Sequence, residues 1–215
     1  MATIGLAPTG SATLIENFDR LALSDSARET LACIADPDVR ELARDFFFDQ
    51  RLRCDVFDRG NRRLDPQERA ERLLASPFAL ARPASAIRYT TTTPAGARAY
   101  DTPTAREIVA TLASGPRSLF DLAPASELLE SGLTLCAAGD AMPVEPNHEP
   151  VAKLNRAIWR QLDGPEEIRW LALPCGTALE TDRGLLRLLR DGAAIDDELY
   201  PGWRGFLASH GVFAQ

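Results

Sequence analysis

The stretch from Asp45 to Pro83, DFFFDQRLRCDVFDRGNRRLDPQERAERLLASPFALARP, constrains the fold of this chain more than any other. Just ahead of it, Asp36-Pro37 marks a helix start, because Asp can cap the first N–H groups and Pro fits the first helical position. Val39, Ala43, Phe46 and Phe47 then fall on one helical stripe. Phe48 does not. At about 100° per residue it sits opposite Val39, beside Glu41, Arg44 and Asp45. If the helix runs on to Leu52, Phe48 and Leu52 form an i, i+4 pair on a second face. An apolar pair on each side predicts a helix held between two layers. Phe48, Arg51, Leu52, Arg53 and Arg59 are therefore the candidate interaction surface. CDVFDRGNRRL reads as a short strand and a turn at Gly60-Asn61, a pair suited to positive φ. Asp65-Pro66-Gln67-Glu68 starts a second helix of capping-box type, running to about Leu74. FALARP is extended.

The 215 residues suffice for one large domain or two small ones, with a real core. Hydrophobic content of 45 % and charged content of 26 % are those of an ordered globular chain. With 31 acidic against 24 basic residues, the net charge of −7 disfavours nucleic acid, whose phosphates supply most non-specific affinity. Only Lys153 among the basic residues is lysine, and the Arg, Ala and Leu richness points to a high-GC bacterial genome. No run approaches the ~18 apolar residues of a membrane span. No signal-peptide pattern opens the chain, so a cytoplasmic protein is expected. Cys33, Cys54, Cys136 and Cys175 form no C-x-x-C pair, and His148 and His210 lie at no ligand spacing from them. Four reduced thiols and no metal are expected.

The opening IGLAPTGSATLIENFD reads as a connector with a short strand at its start, followed by a helix capped at Ser24 or Ser26. IRYTTTT, Pro94-Ala95-Gly96 and ARAY form a β-hairpin. Ala105, Ile108, Val109 and Leu112 define a helix that Gly115-Pro116 ends. A short helix is expected from Ser118, and another from Pro124 to Gly132. LTLCA follows as a strand and Gly139-Asp140 as a turn, which together make a winged-helix pattern. MPVEPNHEP is the best linker. Beyond it come a helix from about Val151 to Leu162, a strand IRWLAL, a leucine-rich helix capped by Thr181, and a last helix ending at Gly211. The fold class is α+β: a small helix/strand domain with a β-hairpin, then winged-helix-like modules. The division is 1–35 connector and short helix, 36–101 first domain, 102–147 winged-helix-like module and 148–215 C-terminal α/β module.

Much familiar chemistry is missing. Rossmann-type binding of S-adenosylmethionine (SAM) needs a glycine-rich turn, and among the 14 glycines no two are separated by a single residue. There is no phosphate-binding loop. No base partners a nucleophile, and Glu166-Glu167 and Asp196-Asp197 read as solvated loop and helix-start residues. In the winged-helix pattern the helix that would enter the major groove, PASELLESG, carries Glu127 and Glu130 and no basic residue. Arg51, Arg53, Arg59, Arg62 and Arg63 are interleaved with Asp49, Asp55, Asp58 and Asp65, a pattern of a solvated, ion-paired surface.

The Asp45–Pro83 stretch resembles the bacterial methyltransferase regulatory domain, a region that follows the catalytic domain in a family of SAM-dependent methyltransferases. Asp45, Phe46, Phe47, Asp49, Gln50, Leu52, Arg53, Asp55, Val56 and Phe57 match its pattern in order, then Arg63, Leu64, Pro66, Ala75, Phe78, Ala79 and Leu80. The cover is good from about Leu21 to Leu122. The opening residues look like the segment that leaves the catalytic domain. The resemblance implies an accessory role without catalytic, cofactor-binding or metal residues in this chain, SAM being held by a separate catalytic domain. The implied partner is that catalytic domain or a protein substrate, with self-association as a homodimer left open and neither nucleic acid nor membrane expected. The alternatives are an autonomous winged-helix transcriptional regulator, or an enzyme with an unrecognised site.

Overall fold

The computed structural model describes residues 5–49, 54–59, 64–120, 122, 125–144, 149–165, 167–173, 175–210 and 212. In chain order the first elements are β1 (Leu6–Ser11), α1 (Asp19–Ala22), α2 (Asp25–Ala32), α3 (Pro37–Phe47) and β2 (Asp55–Arg59). Then come α4 (Pro66–Ala75), β3 (Pro77–Leu80), β4 (Thr90–Thr93), β5 (Gly96–Ala99), α5 (Pro103–Leu112), β6 (Arg117–Ser118) and α6 (Ala125–Ala137). The last are β7 (Ala141–Pro143), α7 (Glu149–Gln161), β8 (Trp170–Ala172), β9 (Ala178–Glu180), α8 (Arg183–Arg190) and α9 (Trp203–Ser209). The fold is α+β, with short antiparallel ladders between helices.

The chain forms two compact units. The first comprises Met1–Pro66 and Tyr89–Tyr100, the second Gln67–Arg88 and Asp101–Gln215. In the first unit the strand expected in the opening segment is β1, paired antiparallel with β2 from Leu6↔Arg59 to Ser11↔Asp55, with a bulge between Pro8 and Gly10. A Cβ at Gly10 would lie 2.5 Å from the Asn17 Oδ1, so a side chain there would have to displace that carboxamide. That amide folds back on the strand, accepting from the Ser11 N–H at 2.8 Å and donating to the Ser11 carbonyl at 2.8 Å. The β4–β5 hairpin pairs Thr90↔Ala99 through Thr93↔Gly96, as its alternating β-branched sequence requires.

In the second unit β3 is the middle strand of a three-stranded antiparallel sheet, with β6 on one side and β7 on the other. Its side chains Phe78, Ala79 and Leu80 are buried, as are Ala105, Ile108, Val109 and Leu112 of α5. Two sequence expectations fail here. Ser118 does not start a helix; it pairs with Pro77 in the sheet, and its hydroxyl donates to the Leu74 carbonyl at 2.8 Å. LTLCA is not a strand, because α6 continues through Gly132 to Ala137. Leu128, Gly132, Leu135 and Cys136 are buried at i, i+4, i+7 and i+8, one helical face. A Cβ on Gly132 would stand 2.8 Å from the Leu119 Cδ1, so the glycine marks close packing rather than a helix end. A smaller correction concerns α8, whose cap is Asp182 rather than Thr181: its carboxylate accepts from the Leu185 N–H at 2.9 Å.

Candidate interaction surface

Local rules place α2 and α3. The Ser24 hydroxyl accepts from the Ala27 N–H at 3.3 Å and caps α2. Asp36 accepts from the N–H groups of Asp38 at 2.9 Å and Val39 at 3.2 Å, and Pro37 begins α3. The helix stops earlier than Leu52. Phe48 is its C-terminal cap, and Asp49, at φ 48°, turns the chain into the left-handed region. The expected Phe48–Leu52 pair cannot be followed beyond this cap, because Arg51, Leu52 and Arg53 lie outside the described residues.

The faces of α3 are also not the two buried layers expected. Ala43 and Phe48, with Ile34, pack on the buried cluster Leu23, Ala27 and Leu31. Arg44 seals this side, its Nε 2.8 Å from the Asp19 carboxylate and its guanidinium 5.1 Å from the centre of the Phe48 ring. Val39, Leu42 and Phe46 face outward, 52 %, 60 % and 79 % exposed, and Phe47 is exposed beside them. The expected stripe of Val39, Ala43, Phe46 and Phe47 thus divides, with only Ala43 joining the core. Leu42 was missed by the sequence reading, although it lies three residues after Val39 and four before Phe46.

This division is measurable. Phe48→Ala is expected to destabilise the first unit by about 1.5–2.5 kcal/mol, half the cost of a fully buried phenylalanine. Phe46→Ala should change stability by less than about 0.5 kcal/mol. Hydrogen exchange of α2 and α3 amides reads both; equal effects would mean that the faces are assigned wrongly.

Beside α3, a cleft of ≈ 490 Å³ is lined by Thr9, Gly10, Asn17, Glu41, Arg44, Asp55 and Phe57. Its charged groups are two carboxylates and one guanidinium, and no histidine or cysteine is in the lining. The Arg44 side chain is already committed to Asp19 and, at 3.6 Å, to Glu41. The Thr9 hydroxyl in the lining donates to the Val56 carbonyl at 2.8 Å rather than to a carboxylate. Val56, Phe57 and Arg59 of β2 are exposed.

The residues weighed for catalysis are dispersed. Glu167 pairs with Arg169 at 2.5 Å, and Asp196 accepts from the Glu198 N–H at 2.8 Å, both at the surface. Glu166 and His148 lie outside the described residues. Cys33 and Cys54 are exposed and unbridged; Cys136 and Cys175 are buried, and burial pushes the Cys136 thiol up to about 12. Among the described residues no group of His, Cys, Asp and Glu could hold a metal ion, and no helix is long and apolar enough to cross a membrane.

His210 ends α9 as expected, but it is buried. Its Nε2 lies 2.8 Å from the Leu80 carbonyl, and its Nδ1 2.8 Å from the Phe206 carbonyl and 3.1 Å from the Ser209 hydroxyl. Burial holds the imidazole below its ordinary pKa, although the two carbonyls pull it upward. The unfolded chain, titrating near ~6.5, takes up a proton before the native one does. Stability of the second unit should therefore fall as pH drops below about 6.5, levelling once the native imidazole also protonates. His210→Gln should flatten this segment of the stability–pH curve; an unchanged curve would place the dependence elsewhere.

The segment that carries the α3 face has a counterpart among known families. Residues 1–59 match the family described as "Predicted methyltransferase regulatory domain". This is the family that the sequence resembles, although the match takes in the opening segment and closes at Arg59 rather than extending to Leu122. The regulatory-domain match thus begins ahead of β1 and ends on the last residue of β2, enclosing the whole β1–β2 ladder and α1 to α3. The chain is also 36% identical over 126 residues to "Uncharacterized protein sll1526" of Synechocystis sp. (strain ATCC 27184 / PCC 6803 / Kazusa). That alignment covers 59% of this chain and 24% of the relative, so the chain spans about a quarter of the curated relative it matches. No solved structure matches.

Proposed function

We propose that this chain is a non-catalytic regulatory or substrate-recognition module of a SAM-dependent methyltransferase, acting through protein–protein contacts. The observation that carries the reading is the outward stripe of Val39, Leu42 and Phe46, inside the segment that matches the regulatory-domain family. Three large apolar side chains on one exposed helical face mark an interaction site more often than an ordinary surface. The stripe has an acidic edge at Asp38 and Asp45. An apolar partner surface rimmed by Arg or Lys complements it, and the proposed occupant is the methyltransferase catalytic domain. SAM and methyl transfer then belong to that domain. The family name and the glycine spacing support this assignment, since no close-approach turn for the cofactor is available in this sequence.

Calorimetry and co-purification test it. Titration of SAM into this chain alone should give no binding heat; micromolar binding would end the accessory reading. Co-expression with a SAM-dependent catalytic domain encoded beside it should give a stable complex that Phe46→Asp disrupts. A complex indifferent to that substitution would remove α3 from the interface.

A further inference from the structure

We propose that the outer edge of β2 is a homodimer interface, in which Asp55–Arg59 pairs antiparallel with the same strand of a second copy about a two-fold axis at Phe57. Among the described residues β2 pairs only with β1, which leaves its other edge open in a two-stranded sheet. The inner edge is identified by its hydrogen bonds. The Cys54 carbonyl accepts from the Ala12 N–H at 2.7 Å, and the Val56 carbonyl from the Thr9 hydroxyl at 2.8 Å. Backbone groups alternate between the two edges of a strand. With residues 54 and 56 facing β1, those of Asp55, Phe57 and Arg59 face outward. Pro8, which has no N–H, stands opposite Phe57 and is consistent with that phase.

The sequence DVFDR fits this geometry in one register. A two-fold axis at Phe57 sets Phe57 against its own copy and Asp55 against Arg59 twice. All three outward-facing residues then fall in hydrogen-bonded pairs, giving roughly six backbone bonds. The side chains of directly opposed residues share one face of the ladder, so each Asp55 meets an Arg59 and the two phenylalanines meet each other. Val56 and Phe57, 49 % and 36 % exposed, gain cover on opposite faces. A shift by one residue breaks the two-fold pairing of opposite charges. The acidic-edged stripe on α3 lacks this self-complementarity, because an antiparallel pair of α3 helices about Leu42 sets Asp38 of each copy beside Asp45 of the other.

A five-residue ladder is small, so dimerisation is expected only at about micromolar concentrations. Sedimentation of the full chain over a concentration series reads it. Asp55→Arg alone and Arg59→Asp alone each replace two attractions by two repulsions, and each should weaken dimerisation about tenfold or more. An equimolar mixture of the two variants restores both opposite-charge pairs and should recover a heterodimer near wild-type affinity. Circular dichroism confirms that each variant folds, and the double variant Asp55→Arg/Arg59→Asp should self-associate like wild type. A wild-type chain that stays monomeric to about millimolar concentration overturns the proposal, as does a dimer unmoved by either reversal. So does failure of both the mixture and the double variant to recover.

Discussion

Asn155→Ala should destabilise the second unit by about 2–5 kcal/mol, because it leaves two buried backbone groups without partners. Asn155 is buried on α7, and its side chain serves both backbone groups of one residue on β8. The Nδ2 donates to the Ala172 carbonyl at 2.9 Å, and the Ala172 N–H donates to the Oδ1 at 2.9 Å. Ala172 is itself buried, so water cannot readily replace the lost amide. Asn155→Asp should cost as much or more. It keeps the acceptor for the N–H but points a carboxylate oxygen at a carbonyl. Asn155→Leu retains the volume and should still fall well short of wild type, since the partners rather than the space are lost. The measurement is urea unfolding by tryptophan fluorescence. Trp159, Trp170 and Trp203 all belong to the second unit, and the first two flank the pair on α7 and β8. A loss below about 1 kcal/mol would mean that the unpaired groups find other partners.

What was legible in the sequence follows the range over which each signal acts. Asp36-Pro37 and Asp65-Pro66 begin α3 and α4, because a side chain and a fixed φ determine a helix start within four residues. The TTTT-to-ARAY hairpin and the apolar face of α5 were readable for the same reason. Gly132 was misread. A glycine costs about 1 kcal/mol inside a helix, and here its neighbours on the buried face outweigh that preference. α3 shows a different limit. Periodicity reveals that Val39 and Phe46 share one side and Phe48 another, yet only the position of Leu23, Ala27 and Leu31 decides which side is covered. The amide of Asn155 was unreadable as structure because its partner is Ala172 and no local rule joins them. Of the candidate surface, Phe48 lies at the end of α3 and packs on Leu23, Ala27 and Leu31, and Arg59 ends β2, whose pairing with β1 no local rule reveals.

Buried polar and exposed apolar side chains divide the work of the molecule. Among the buried polar groups, Asn155, Asp140 and His210 are held by backbone groups or an ion pair. Asp140 meets Arg82 at 3.1 Å, and the β3 carbonyl of Leu80 is the partner of His210. Such groups fix elements in register and leave none of these side chains directed at a substrate. The exposed apolar side chains of α3 and β2 have the opposite character. They lie largely outside the core, a distribution that the proposed interaction surface would explain.

Leu128→Ala should cost the second unit about 3–5 kcal/mol, near the upper end for a buried leucine. Leu128 is almost fully buried on α6. With Leu73, Leu74, Phe78, Leu119, Leu129 and Leu133 it borders a gap of only ≈ 10 Å³. Removing its isobutyl group would join new space to that gap. Gly132 and Leu119 are already in close approach, so the wall on that side has little freedom to collapse inward. The cavity therefore stays open, and its unfilled volume adds to the lost transfer energy. Leu133 is only partly buried on the same helix, and Leu133→Ala should cost clearly less. This contrast also separates helix from strand: Leu128, Leu135 and Cys136 share one buried helical face, whereas a strand at 133–137 would place Leu133 and Leu135 together. Urea unfolding of Leu133→Ala and Leu135→Ala therefore decides the matter. Equal large losses would favour the strand, and a large loss at Leu135 alone favours α6 as described.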